Sequence, residues 1–210
     1  MKQMKRLLCN IRLTETLLFC LITLNSCGQT YLSSNNSNYI IDNSIKSQVD
    51  KKVKSFGGMT MSSMDFRIYK NDSLISDTYT TGKSIDNMTI TILDGDTVNI
   101  MGFLGMFAGF GYQITLFKDT CIVRHFAKSD AEIYKLHKND SLNFGVSVPC
   151  ITYKLILSKK PTFKKGEILE GVIELTSEDY YEVANGTESK YKIQLTGYFR
   201  TDLLGSIDGN

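Results

Sequence analysis

The 210-residue chain has no tryptophan and only two histidines, and its apolar runs are short. With His125 and His137 alone, imidazole is too scarce for a histidine-rich metal centre. No Cys-x-x-Cys, His-Glu-x-x-His or Asp-x-Asp-x-Asp-Gly spacing offers another kind of metal site. There is no Gly-x-Ser-x-Gly elbow and no phosphate-binding glycine loop. Asp94-Gly95-Asp96 comes nearest to an acidic loop, and a hairpin turn explains it better. The apolar run Leu17 to Leu24 is far below the roughly 18 residues that a membrane-spanning helix needs. An enzyme on this chain would have to assemble its site from scattered positions.

The first 26 residues have the order of an export signal. Lys2, Lys5, Arg6 and Arg12 precede the apolar run, opposed only by Glu15. The run is followed by Leu24-Asn25-Ser26-Cys27-Gly28. This ending resembles the lipobox of bacterial lipoproteins, of a kind seen in Bacteroidota-like bacteria. The resemblance implies that Cys27 receives a diacylglycerol and becomes the first residue of the mature protein. Multiple acyl chains on Cys27 would hold the protein on a membrane, since each buried methylene contributes about 0.8 kcal/mol. In such lipoproteins, acidic residues just after the cysteine resemble a surface-export signal. Gly28, Gln29, Thr30, Tyr31 and Leu32 supply none, which implies the periplasmic face of the outer membrane. An ordinary signal peptide, with a stray cysteine near its cut site, is the alternative.

Without residues 1–26 the chain has 20 basic and 21 acidic side chains, so the slight positive charge belongs to the leader. A near-neutral domain without a clustered basic excess is not a nucleic-acid binder. The length that follows suits one domain with a full core, 39–210, after a Ser- and Asn-rich tether, 27–38. That tether would have an end-to-end distance on the order of 18 Å. Two cysteines, Cys121 and Cys150, stay in the domain. They could form a disulfide closing about 30 residues, worth roughly 3 to 4 kcal/mol, or stand as two separate buried thiols.

Ile41, Ile45, Val49, Val53 and Phe56 recur at helical spacing, and Asp42 or Asn43 can cap the start. This predicts one short amphipathic N-terminal helix ending at Gly57-Gly58 and packing on a sheet. From there the period changes to two. Runs at Phe66 to Tyr69, Leu74 to Tyr79, Met88 to Leu93, Val98 to Phe103, Tyr112 to Phe117 and Cys121 to Phe126 predict strands. So do Ile133 to Leu136, Leu142 to Val148, Ile151 to Leu157, Ile168 to Leu175 and Tyr191 to Phe199. Lys70-Asn71-Asp72-Ser73, Lys118-Asp119-Thr120 and Asn185-Gly186 are turn signals between them. Lys-Asn-Asp-Ser-Leu occurs twice, from Lys70 and from Lys138, and is read as turn chemistry rather than as duplication. Many short strands predict a mainly β domain, an antiparallel sandwich or barrel. The alternating stretch Gly166 to Leu175, with its later partner Tyr191 to Phe199, is similar to strands of immunoglobulin-like and arrestin-like sandwiches. That similarity favours the sandwich.

Two constellations invite a chemical reading. Cys121 and His125 share one face of a strand, but they lie about 13 Å apart along it, too far for a nucleophile and its base. Residues 101–111 carry no charge. Phe103, Leu104, Met106, Phe107 and Phe110 on a glycine-rich loop could dip into a bilayer or grip an apolar ligand or partner. Alternatively they form a buried strand whose glycines allow close approach. The tyrosines could serve as sugar platforms, but no spacing orders them. The sequence therefore favours a membrane-anchored envelope lipoprotein, a non-enzymatic binding or structural module without cofactor or metal, with an envelope protein as its partner. A cell-wall or glycan-acting enzyme and an apolar-ligand carrier are the alternatives.

Overall fold

The computed structural model describes residues 37–56, 59–105 and 108–205. Eight principal strands carry the fold: β1 (Met59–Lys70), β2 (Ile85–Asp94), β3 (Thr97–Leu104), β4 (Gly109–Phe117), β5 (Thr120–Lys128), β6 (Gly145–Leu157), β7 (Ile168–Ser177) and β8 (Thr187–Asp202). Each pairs antiparallel with its neighbours in sequence, and β8 returns to pair with β1. The chain is thus mainly β and antiparallel, as its period predicts. The pairing closes an up-and-down ring. In the immunoglobulin-like order, strands alternate between two sheets; here every ring strand stays beside its sequence neighbours.

Closure depends on two bent strands. β1 meets β2 only through Ser62–Met64; further along, the short strand Ser73–Asp77 takes the place of β2. β6 pairs with β5 up to Pro149 and with β7 from Cys150 onward, with a bulge between Cys150 and Thr152. Proline removes a ladder donor, and a bulge bends its strand, so β6 turns the corner at that point. The expected runs Leu142 to Val148 and Ile151 to Leu157 therefore merge into one strand from Gly145, and Leu142 to Phe144 lie in the loop before it.

Alternate residues point inward. On β3 to β5 these include Val98, Ile100, Tyr112, Ile114, Leu116 and Val123; Ile173, Ile193, Leu195 and Phe199 meet them from β7 and β8. An eight-stranded ring has an interior just wide enough for side chains to fill, and these side chains fill it. Two type I′ hairpin turns fix registers, each with both central residues at positive φ. They are Asn71-Asp72 (φ 48 and 66) and Asn185-Gly186 (φ 51 and 73). The second Lys-Asn-Asp-Ser makes no hairpin. There Asp140 Oδ2 accepts from the His137 backbone N–H at 2.8 Å, folding a loop turn.

The amphipathic segment begins as predicted, with the Asp42 carboxylate accepting from the Ser44 N–H at 2.8 Å. A 3₁₀ turn, Asn43–Ile45, runs into helix α1 (Lys46–Lys52). Ile45, Val49 and Val53 pack on Val172, with Ile156 and Tyr198 beside it, on the outside of β6, β7 and β8. The helix is shorter than its apolar spacing suggests. Val53 is already extended, and Lys54–Phe56 forms a strand against Met59–Met61. The predicted run Leu74 to Tyr79 is also divided: Asp77 caps a one-turn helix, α2 (Thr78–Thr81), which Gly82 ends at φ 64.

A candidate ligand-binding groove

α1 covers one end of the outer face of β6, β7, β8 and β1. Two and four residues further along each strand from Ile156, Val172 and Tyr198, that face is open and polar. Register places Thr152, Thr176, Gln194 and Arg67 in one row across the four strands. Lys154, Glu174 and Thr196 form the adjacent row. With Tyr79 from α2 they line a groove of about 460 Å³. A second depression of about 310 Å³, lined by Tyr69, Asp72, Lys190, Tyr191 and Lys192, adjoins it at Gln194.

Hydrogen bonds hold the groove's side chains in place. The Arg67 guanidinium lies 4.9 Å from the centre of the Tyr79 ring, and its Nε donates to Asp77 Oδ2 at 3.2 Å. The Tyr79 hydroxyl shares a 2.7 Å hydrogen bond with Thr196 Oγ1, and the Tyr69 hydroxyl donates to Gln194 Oε1 at 3.3 Å. Asp77 also accepts from the Thr80 N–H and hydroxyl, which holds its carboxyl below the ordinary range. It stays ionised beside Arg67. The groove and the depression that adjoins it thus offer two aromatic rings with tethered hydroxyls, a fixed guanidinium, an amide, a carboxylate, an ammonium and threonine hydroxyls. That set has the chemistry to hydrogen-bond a polar ligand, and the residues that line it include neither histidine nor cysteine.

The histidine and the thiols lie elsewhere. His125 is fully buried inside the ring, with Nδ1 2.9 Å from the Gly111 carbonyl oxygen. Its ring stands between Phe110 and Tyr180, at centroid distances of 6.3 and 5.4 Å. Burial pushes its pKa down to about 4, so the imidazole is neutral. Phe66 meets Phe110 edge-on at 5.0 Å, and Tyr180 stacks on Tyr191, so a run of rings closes this end of the interior. Cys121 and Cys150 both lie buried in the fold. Burial pushes the Cys150 thiol up to about 12, which makes it a poor nucleophile. Among the described residues, no three His, Cys, Asp or Glu side chains gather in a cluster that could hold a metal ion.

The uncharged stretch 101–111 divides between two environments. Leu104 and Phe110 face inward and pack on the core, while Phe103 sits half-buried on the outside of β3. Met106, Phe107 and Cys27 lie outside the described residues. Sequence reasoning missed the groove. Its residues come from four strands and α2, and the only local signal was a polar residue at every second position.

No helix among the described residues is long and apolar enough to cross a membrane. No family model matches the chain, and no curated protein or solved structure matches it.

Proposed function

We propose that this chain is an envelope lipoprotein, held by acylated Cys27 on the periplasmic face of the outer membrane, whose ring is a binding module rather than an enzyme. We read the ring as flattened, sandwich-like, into two layers around one core. The observation that carries the binding reading is the fixed polar groove on β6, β7, β8 and β1, where both tyrosine hydroxyls and the Arg67 guanidinium are already committed to their positions. Such preorganisation lowers the ordering entropy lost when a ligand binds. The side-chain-filled interior and the neutral, enclosed His125 favour binding on the outside over catalysis or carriage within.

Affinity capture from envelope extracts tests this, with the acylated protein compared against an Arg67→Ala, Gln194→Ala double variant. The expected result is a ligand or partner retained by the parent protein and lost by the variant. Equal recovery by both would remove the groove from the function. For the anchor, Cys27→Ser is expected to abolish incorporation of labelled fatty acid; unchanged labelling would end the lipoprotein reading.

A further inference from the structure

The opposite side of the ring is richer in apolar side chains, with Asn99, Gln113 and Thr115 standing among them. On the outer face of β2, β3, β4 and β5, register brings apolar side chains together: Met88 is opposite Phe103 and Ile90 is opposite Met101. Phe103 continues through Gly111 to Phe126 in the same cross-strand row. Ile122 lies two residues from Arg124 on the same face of β5. Met88 is 44 % exposed and the others are half-buried. The residues between them, among them Ile100, Val123 and His125, supply the interior. α1 packs on β7 and β8 and does not cover this face.

We infer that this face rests on the bilayer that holds the Cys27 acyl chains, an inference that depends on the anchored reading above. Chain length and the point of entry identify the occupant. Ten residues separate Cys27 from Asn38, a reach of roughly 36 Å when fully extended. The chain then joins the fold at β5 itself, where Ser37 and Asn38 pair with Cys121 and Thr120, next to Ile122. A barrel tethered at that edge meets the membrane with the face beside its tether. Methionine and phenylalanine suit an adaptable apolar contact, and Arg124 and Lys128 on the same side of β5 face towards anionic headgroups. Asp86 at the margin is neutralised by Lys54, whose Nζ lies 3.0 Å from its Oδ1. Contact is one-sided: it leaves the polar groove on the far side directed to the aqueous compartment.

The test uses the full acylated protein in vesicles of phosphatidylethanolamine and phosphatidylglycerol, with one fluorophore placed by Met88→Cys, Ile122→Cys or Glu174→Cys. Lipid-borne and aqueous quenchers are compared at each position, and fatty-acid incorporation is measured on the same samples. Contact predicts several-fold stronger lipid quenching at positions 88 and 122 than at 174. A Phe103→Ser, Met101→Ser variant should lose that difference while staying acylated. Equal quenching at all three positions of acylated protein would overturn the membrane contact and leave the anchor standing. Protein without fatty acid would overturn both.

Discussion

Gly102 on β3 and Tyr112 on β4 are matched across the sheet so closely that a Cβ on Gly102 would lie 2.1 Å from the tyrosine ring. Gly197 on β8 leaves the other side of the same ring open, where a Cβ would come within 2.5 Å. The largest fully buried side chain of the interior thus occupies a slot made by two glycines from distant strands. Gly102→Ala forces either the ring or β3 to move. We expect it to destabilise by about 1–3 kcal/mol, the usual cost of overpacking, measured by chemical denaturation. Combining it with Tyr112→Leu should recover part of that loss. Additive effects of the two substitutions would show that they do not share the slot.

Stability should fall on acidification because of His125. Its pKa is depressed from 6.5 to about 4 in the folded chain, chiefly by burial. The unfolded chain therefore takes up a proton, as pH drops below about 6.5, that the folded chain refuses. The stabilisation is complete above that pH and is lost as pH falls towards 4. Between pH 7 and pH 5 this amounts to on the order of 2 kcal/mol. In paired denaturation curves, His125→Phe should flatten this part of the pH profile. An unchanged slope would assign the acid sensitivity to other groups.

The docking of α1 is held by charge as well as by Val49. Glu170, almost fully buried, accepts from Arg200 Nε at 2.7 Å and from the Ser158 hydroxyl at 3.3 Å, and pairs with Lys46 at 3.5 Å. Arg200 also pairs with Asp50 of the helix. Glu170→Ala leaves the guanidinium without its main partner on β7. Because Arg200 and Lys46 are partly solvated, the expected cost is about 1–2 kcal/mol, below that of a fully buried pair. Hydrogen exchange should show faster opening at residues 43–53 while β3 to β5 are unaffected.

Both domain thiols should be silent until the ring opens. Cys121 is fully buried and Cys150 nearly so. A thiol reagent is expected to modify neither in native protein and both in denaturant, under reducing or oxidising preparation alike. Loss of the two reactive thiols after oxidation would show that they form a disulfide.

Some of this was legible locally. Asp42, one of the two expected caps, caps the 3₁₀ turn that leads into α1, and Asn71-Asp72 and Asn185-Gly186 turned the chain as their backbone preferences require. Val53 was misread because an apolar residue at helical spacing packs equally well from the extended end of a helix; it reaches the same cluster as Val49. Leu74 to Tyr79 was misread because side-chain capping at Asp77 outcompeted strand propensity. Residues 101–111 looked uniform, yet Phe103 and Leu104 face opposite sides.

The sequence by itself determined the period of most strands, most turns, the mainly β class and the shared face of Cys121 and His125 on β5, because these depend on neighbours a few residues apart. Closure of the ring, the groove and the apolar outer face were decided only in three dimensions. Tyr69 and Gln194, which share a hydrogen bond where the groove meets the second depression, are 125 positions apart. Alternation states that one side of a strand is polar. The register between distant strands decides which polar residues share a row, and no local pattern encodes that register.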